Sequence, residues 1–108
     1  MTHYDVSELT LLSDRMQDAT TVPAGGELHG THKAFLKLQS LPQVVIAAIN
    51  GTAMGGGCEL SLASDFRLMA RGPGRIGLPE VRVGILPGAG GTQRLARLLG
   101  AARALELM

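Results

Sequence analysis

The stretch VVIAAINGTAMGGGCEL, residues 44–60, decides the fold class. Its first six residues are apolar and mostly β-branched, a pattern typical of a strand buried on both faces in a sheet covered by helices. Asn50 and Gly51 then predict a turn. The glycines at 55–57 predict a glycine-rich entry into a short, mostly buried helix over residues 58–64. The stretch therefore predicts a strand–turn–helix unit of an α/β protein.

Further elements are predicted on both sides of this unit. The predicted helices cover residues 7–18, 27–40, 92–99 and 101–108, and the predicted extended segments cover residues 66–69 and 75–79. In the helix over 27–40, Phe35 falls on the apolar face, and Lys33 and Lys37 point outward. Thr92 is expected to N-cap its helix, and Gly100 to close it. Residues 80–83 either continue the extended segment or begin a turn. This order of helices and strands supports the α/β class.

Composition limits the functional classes that the chain can belong to. It has 108 residues, 45% hydrophobic and 18% charged, which fits one folded domain and excludes a charge-dominated disordered chain. A net charge of +1 is unlike that of a nucleic-acid binder. One cysteine excludes an internal disulfide. Neither an apolar run long enough to span a membrane nor a secretory signal pattern is present in the sequence, so a cytoplasmic setting is expected.

The candidate chemistry lies in two glycine-rich segments, each with a glutamate beside it. Glu59 follows the glycines at 55–57, and Glu80 precedes a second glycine cluster at 88–91. Backbone N–H groups at such a helix entry can bind an oxyanion. Two carboxyls in different environments can divide acid and base roles. The simpler alternative is that Glu59 only caps its helix and Glu80 is a solvated turn residue.

Three other patterns are weaker. Residues 72–77 match G-x-G-x-x-G, but Pro79 denies the helix that a dinucleotide site needs. His29 and His32 have a spacing that can share a metal, but no third ligand is evident nearby, so no metal site is predicted. Cys58 is expected to be a buried, inert thiol. The hypothesis of a free-standing phosphate- or nucleotide-binding module is supported only by the glycine-rich loops.

Two long segments give the sequence its resemblance to a known family. Residues 41–60, LPQVVIAAINGTAMGGGCEL, resemble the first signature of the crotonase (enoyl-CoA hydratase/isomerase) superfamily, and residues 75–94, RIGLPEVRVGILPGAGGTQR, resemble its second. The start, residues 2–8, looks like the end of the family's oxyanion segment, with Tyr4 where a small residue or His is usual. The resemblance implies an incomplete crotonase-like ββα spiral fold.

The resemblance also implies a role for each matching position. The backbone N–H groups of Tyr4 and Gly56 would form the oxyanion hole for a thioester carbonyl. Glu59 would activate the water that adds at Cβ, and Glu80 would deliver the proton to Cα. The remaining substrate-binding positions implied by the match are Asp5, Val6, Gly57 and Gly88.

The implied activity is that of an enoyl-CoA hydratase, the syn addition of water to a 2-enoyl-CoA thioester to give a 3-hydroxyacyl-CoA. The acyl-CoA is the implied partner, no separate cofactor is needed, and a trimer or hexamer is implied for the complete protein. Residues 1–108 are expected to be a partial domain, lacking the opening strands and the later helices. Such a chain exposes apolar surface on residues 44–69 and 92–108. The alternative function is therefore a catalytically silent fragment that acts only as a partner of full-length subunits.

Overall fold

The computed structural model describes residues 30–108, and the predicted helix over 7–18 lies outside them. The described helices are α1 (Gly30–Gln39), α2 (Gly56–Leu62), α3 (Gly91–Leu99) and α4 (Ala101–Glu106), with a 3-10 helix at Pro79–Val83. The described strands are β1 (Ile46–Ile49), β2 (Ala53–Met54), β3 (Phe66–Met69) and β4 (Ile76–Gly77). The mixed order of helices and strands confirms the α/β class.

The strands form two parallel pairs, β1 with β3 and β2 with β4. In the first pair Ile46 lies opposite Phe66 and Ala48 opposite Leu68. Asp65 helps to fix this register, because its Oδ2 accepts a hydrogen bond from the Val45 backbone N–H at 2.8 Å. Parallel neighbours need a crossover, and α2 supplies it between β1 and β3.

The helices pack into two small apolar clusters. The larger joins α2, the residue after β4, α3 and α4; its buried members are Cys58, Leu62, Leu78, Leu95 and Ala104. The smaller joins α1 to the loop before α3 through Phe35, Ala63 and Ala89. Lys33 and Lys37 are exposed, as the predicted face of α1 requires. Both clusters lie against α2, so this helix is the centre of the packed part of the chain.

Two details of the sequence-based prediction are wrong. Strand β1 is not buried on both faces: Ile46 is 55% exposed, and its register partner Phe66 is 59% exposed. Within residues 30–108 the side that these two residues share is left exposed. Thr92 is not the N-cap of α3. That position belongs to Gly90, in a left-handed conformation with φ of 85°, because the Gly91 N–H is directed at a buried carboxylate.

Residues 80–83 were predicted either to continue the extended segment or to begin a turn, and the 3-10 helix shows that they turn. Pro79 stands in its first turn, where a residue with no N–H and a fixed φ is well tolerated. Gly84 ends it in a left-handed conformation with φ of 73°. The chain therefore turns immediately after β4, and this turn carries Glu80.

Candidate active site

The pairing of β2 with β4 brings the two glycine-rich segments together. The Ala53 N–H donates to the Arg75 carbonyl at 2.8 Å, and the Gly55 N–H donates to the Gly77 carbonyl at 2.9 Å. The first residue of α2, Gly56, directly follows this ladder, and Glu80 lies three residues beyond Gly77. Two segments that are 20 or more residues apart in sequence therefore meet at one place.

Glu59 is held by the backbone of the second glycine loop. Its side chain is buried, 4% exposed, and Oε1 accepts hydrogen bonds from the Ala89 N–H at 2.8 Å and the Gly91 N–H at 2.9 Å. The Gly91 N–H belongs to the first turn of α3, where backbone donors lack partners inside the helix and the helix dipole favours an anion. These contacts fix the orientation of the Glu59 carboxyl.

Glu80 lies in a different environment. It is buried, and its Oε2 accepts no hydrogen bond within residues 30–108. Burial raises the pKa of this carboxyl above its ordinary value, and the nearby charge of Glu59 raises it further, while a hydrogen bond from the Glu80 backbone opposes the shift. The protonated form of Glu80 is therefore favoured relative to an exposed glutamate.

Gly55 lets the Glu80 carboxyl approach the entry to α2. It adopts a φ of 57°, and a Cβ built at this position would lie 3.2 Å from Glu80 Oε1. A side chain here would be strained and would crowd the carboxyl. The backbone just before Gly56 is thus open to Glu80. The first N–H groups of α2 are among those that a helix leaves without intrahelical acceptors.

Cys58 directly precedes Glu59 and carries a buried thiol. Its side chain is 1% exposed. Burial raises the pKa of the thiol to about 11, and the charges of Glu80 and Glu59 add to the shift. The residue packs in the larger apolar cluster. Its thiol remains protonated at neutral pH and acts as part of the core.

The structure places Glu80 Oε1 beside Gly55, at the entry to the helix that carries Gly56, Gly57 and Glu59. Gly88 lies in the loop just before Ala89. The alternative of a solvated Glu80 is wrong, since this carboxyl is buried by the start of α2. Three predicted site positions, Tyr4, Asp5 and Val6, lie outside the described residues. His29, which shares a metal-compatible spacing with His32, also lies outside them.

Sequence reasoning missed the groups that hold Glu59. Ala89 and Gly91 act through backbone N–H groups, and Arg94 contacts their loop. The glycine cluster at 88–91 signals a close backbone approach, but it does not identify the carboxylate 30 or more residues away that the loop binds.

Two features of the described residues concern membranes and metal ions. In the part of the chain from residue 30 onward, no helix is both long and apolar enough to cross a bilayer. The same residues contain no group of three or more histidine, cysteine, aspartate or glutamate side chains arranged to hold a metal ion.

Comparison with known proteins places this geometry in a family. Residues 14–108 match the family model described as enoyl-CoA hydratase/isomerase. An enoyl-CoA hydratase structure from Bacillus anthracis is 56% identical over 71% of this chain, with a TM-score of 0.68. One from Geobacillus kaustophilus is 51% identical over the same share, also with a TM-score of 0.68. Pseudomonas aeruginosa DspI is 36% identical over 99% of this chain, with a TM-score of 0.70.

The chain spans about a third of the length of these solved structures. It covers 30% of the Bacillus anthracis protein, 29% of the Geobacillus kaustophilus protein and 37% of DspI. The match to crotonase-fold structures over part of their length also confirms the fold expected from the two signatures, an incomplete crotonase-like spiral.

Proposed function

The chain belongs to the enoyl-CoA hydratase/isomerase family of the crotonase superfamily, and from that premise we propose that it adds water to a 2-enoyl-CoA thioester. The product is the 3-hydroxyacyl-CoA formed by syn addition. One observation carries the proposal: two buried carboxyls meet in unlike environments, Glu59 on two backbone donors and Glu80 with one oxygen unpartnered.

The unlike environments support a different role for each carboxyl in the proposal. Glu59 is the general base: its carboxylate takes a proton from the water whose oxygen bonds to Cβ. The electron pair of the double bond moves toward the thioester carbonyl. Glu80, whose pKa is raised, is the general acid that gives its proton to Cα. The proton held by Glu59 then restores Glu80 before the next turnover.

The developing enolate oxygen needs backbone donors. The Gly56 N–H at the start of α2, together with the Tyr4 N–H, fills this role in the proposal. Gly57 and Gly88 would line the pocket, with Asp5 and Val6 from the preceding segment. Coenzyme A belongs to the substrate, so the reaction requires no separate cofactor.

The test is turnover of a 2-enoyl-CoA, followed by loss of the conjugated thioester absorbance. Glu59→Gln and Glu80→Gln should each lower kcat by about 10²- to 10⁴-fold, the usual contribution of a general acid or base. The matched control is Glu106→Gln, an exposed glutamate on α4, which should keep the parent rate. Circular dichroism checks that each variant is folded. Undiminished turnover by folded Glu80→Gln would remove that residue from the mechanism.

A second candidate function is favoured by the exposed apolar side of β1 and β3. Phe66 and Leu68 are 59% and 65% exposed on this side. A chain with such a surface fits a silent partner of full-length crotonase subunits, or a subunit of a trimer or hexamer. Co-purification with a full-length subunit and no turnover alone would support the silent partner. Monodisperse, active material without a partner would exclude it.

A further inference from the structure

Arg94 bridges the loop just before its own helix and the distant end of α1. It lies in the first turn of α3, and its Nη1 donates a hydrogen bond to the Ala89 carbonyl. Its Nη2 donates to Gln39 Oε1 at 2.8 Å, across 55 residues of sequence. Gln39 is the last residue of α1. The guanidinium therefore ties the loop before α3 to the end of α1.

The stability of α3 does not account for this arginine. The helix dipole disfavours a cation in the first turn, where the backbone already presents partial positive charge. The basic residue that the dipole favours is Arg97, in the last turn of the same helix. Arg94 instead donates charge-assisted hydrogen bonds, which are stronger and more directional than neutral ones. Its location fits a role in fixing the loop rather than the helix.

The loop that Arg94 fixes is the one that holds Glu59. Ala89 accepts from Arg94 through its carbonyl and donates to Glu59 Oε1 through its N–H. Gly91, two residues on, donates to the same carboxylate oxygen. Ala89 also belongs to the smaller apolar cluster, with Phe35 of α1 and Ala63. The loop is thus anchored to α1 through this apolar cluster and through the Arg94–Gln39 hydrogen bond.

We propose that Arg94 is a positioning residue, which orients the Glu59 carboxylate through the backbone of Ala89–Gly91. Gln39 is its anchor on α1. The effect of Arg94 on catalysis rests on the proposed function. The structural link, by which Arg94 holds the loop that binds Glu59, does not. A general base has to meet its water at hydrogen-bond distance, so a loosened loop lowers the fraction of molecules with Glu59 in the productive orientation.

The structural link is tested by hydrogen exchange of the Ala89 and Gly91 amides, measured by NMR on the full chain. In Arg94→Ala both amides should exchange about tenfold faster or more, the loss expected when a hydrogen bond from a charged group is removed. The Leu95 amide in the core should change less. Arg94→Lys should restore part of the protection. The matched control, Arg97→Ala, should leave both amides unchanged, because Arg97 is exposed.

Gln39→Leu keeps the proposal testable if Arg94→Ala does not fold. Gln39 is exposed, so its replacement removes the anchor without disturbing the core, and both amides should again exchange faster. Unchanged exchange of Ala89 and Gly91 in a folded Arg94 variant, or in Gln39→Leu, would overturn the link. Equal acceleration of the loop and core amides would also overturn it, because that result indicates global destabilisation.

Measuring kcat and KM distinguishes a failure of the positioning role of Arg94 from a failure of the proposed hydratase function. In an active parent, Arg94→Ala should lower kcat about tenfold or more with KM nearly unchanged, since Arg94 acts on the base and not on substrate binding. Faster amide exchange with an unchanged kcat would overturn the catalytic part of the inference. An inactive parent would refute the proposed function alone, and the amide exchange would still decide whether Arg94 holds the loop on Glu59.

Discussion

Substitution of Gly91 by alanine probes how tightly the second glycine loop is packed against the site. A Cβ built at Gly91 would lie 2.8 Å from Glu59 Cγ, 2.9 Å from Glu59 Oε1 and 3.0 Å from Leu78 Cδ1. Glu59 cannot move away without losing its bonds from the Ala89 and Gly91 N–H groups, and Leu78 is fully buried. The added methyl therefore has no space.

The expected cost follows from two opposing contributions. Overpacking a core costs about 1–3 kcal/mol, and weakening the hydrogen bonds to the buried carboxylate adds to this. Alanine offsets at most about 1 kcal/mol through its higher helix propensity at this first helical position. The net loss in the free energy of unfolding is about 2 kcal/mol. For a domain of this size that lowers the melting temperature by roughly 10 °C.

The assay is a thermal melt followed by circular dichroism, with Gly88→Ala as the matched control. A Cβ at Gly88 meets no atom within 4 Å, so this variant should melt close to the parent. Combining Gly91→Ala with Glu59→Ala should cost less than the sum of the two single changes, because removing the glutamate side chain makes room for the methyl. A Gly91→Ala variant that melts at or above the parent temperature would refute the argument.

Two further predictions use the titrating groups of the site. Burial raises the folded-state pKa of Glu80 above its ordinary value of 4.5, so the folded chain binds more protons than the unfolded chain in that window. The associated stability is present below the unfolded pKa and is lost as pH rises through the folded pKa. Melts at a series of pH values rising from about 4.5 should therefore show a shallower loss of stability for Glu80→Gln than for the parent or for Glu106→Gln, and equal slopes would contradict this. The pKa of Cys58 is raised to about 11 in a buried site, so a thiol reagent at about pH 8 should label it only as fast as the chain opens; rapid labelling of folded protein would show that the thiol is accessible.

Several elements could be predicted because their signals are local. The alternation of residues 66–69 gave strand β3, and the apolar spacing around Phe35 gave helix α1. The glycine clusters correctly marked two places of close backbone approach. The predicted start of α3 is wrong, because Thr92 is a good N-cap type by local rules, whereas the helix already begins at Gly91, whose N–H bonds to Glu59. A prediction from neighbouring residues does not include the Glu59 carboxylate, which lies 32 residues from the Gly91 N–H in sequence.

The burial of β1 was mispredicted for a related reason. A continuous apolar run indicates a strand that is covered on both faces, but it does not supply the covering element. In residues 30–108 the side carrying Ile46 and Phe66 has no cover, so a sequence suited to a two-sided environment is half exposed. The alternative that Glu80 is a solvated turn residue is also wrong. Burial of Glu80 depends on its approach to Gly55, which lies 25 positions earlier in the chain.

The sequence by itself determined the α/β class, the family resemblance and the pair of glutamates, since periodicity, turn residues and long signatures are properties of contiguous residues. The tertiary structure alone decided what distinguishes the two carboxyls. Glu59 meets backbone donors from the loop that Arg94 holds, whereas Glu80 keeps a buried oxygen without a partner. Desolvation and hydrogen bonding depend on which distant groups the fold brings within a few ångströms, and short-range sequence patterns do not encode those distances.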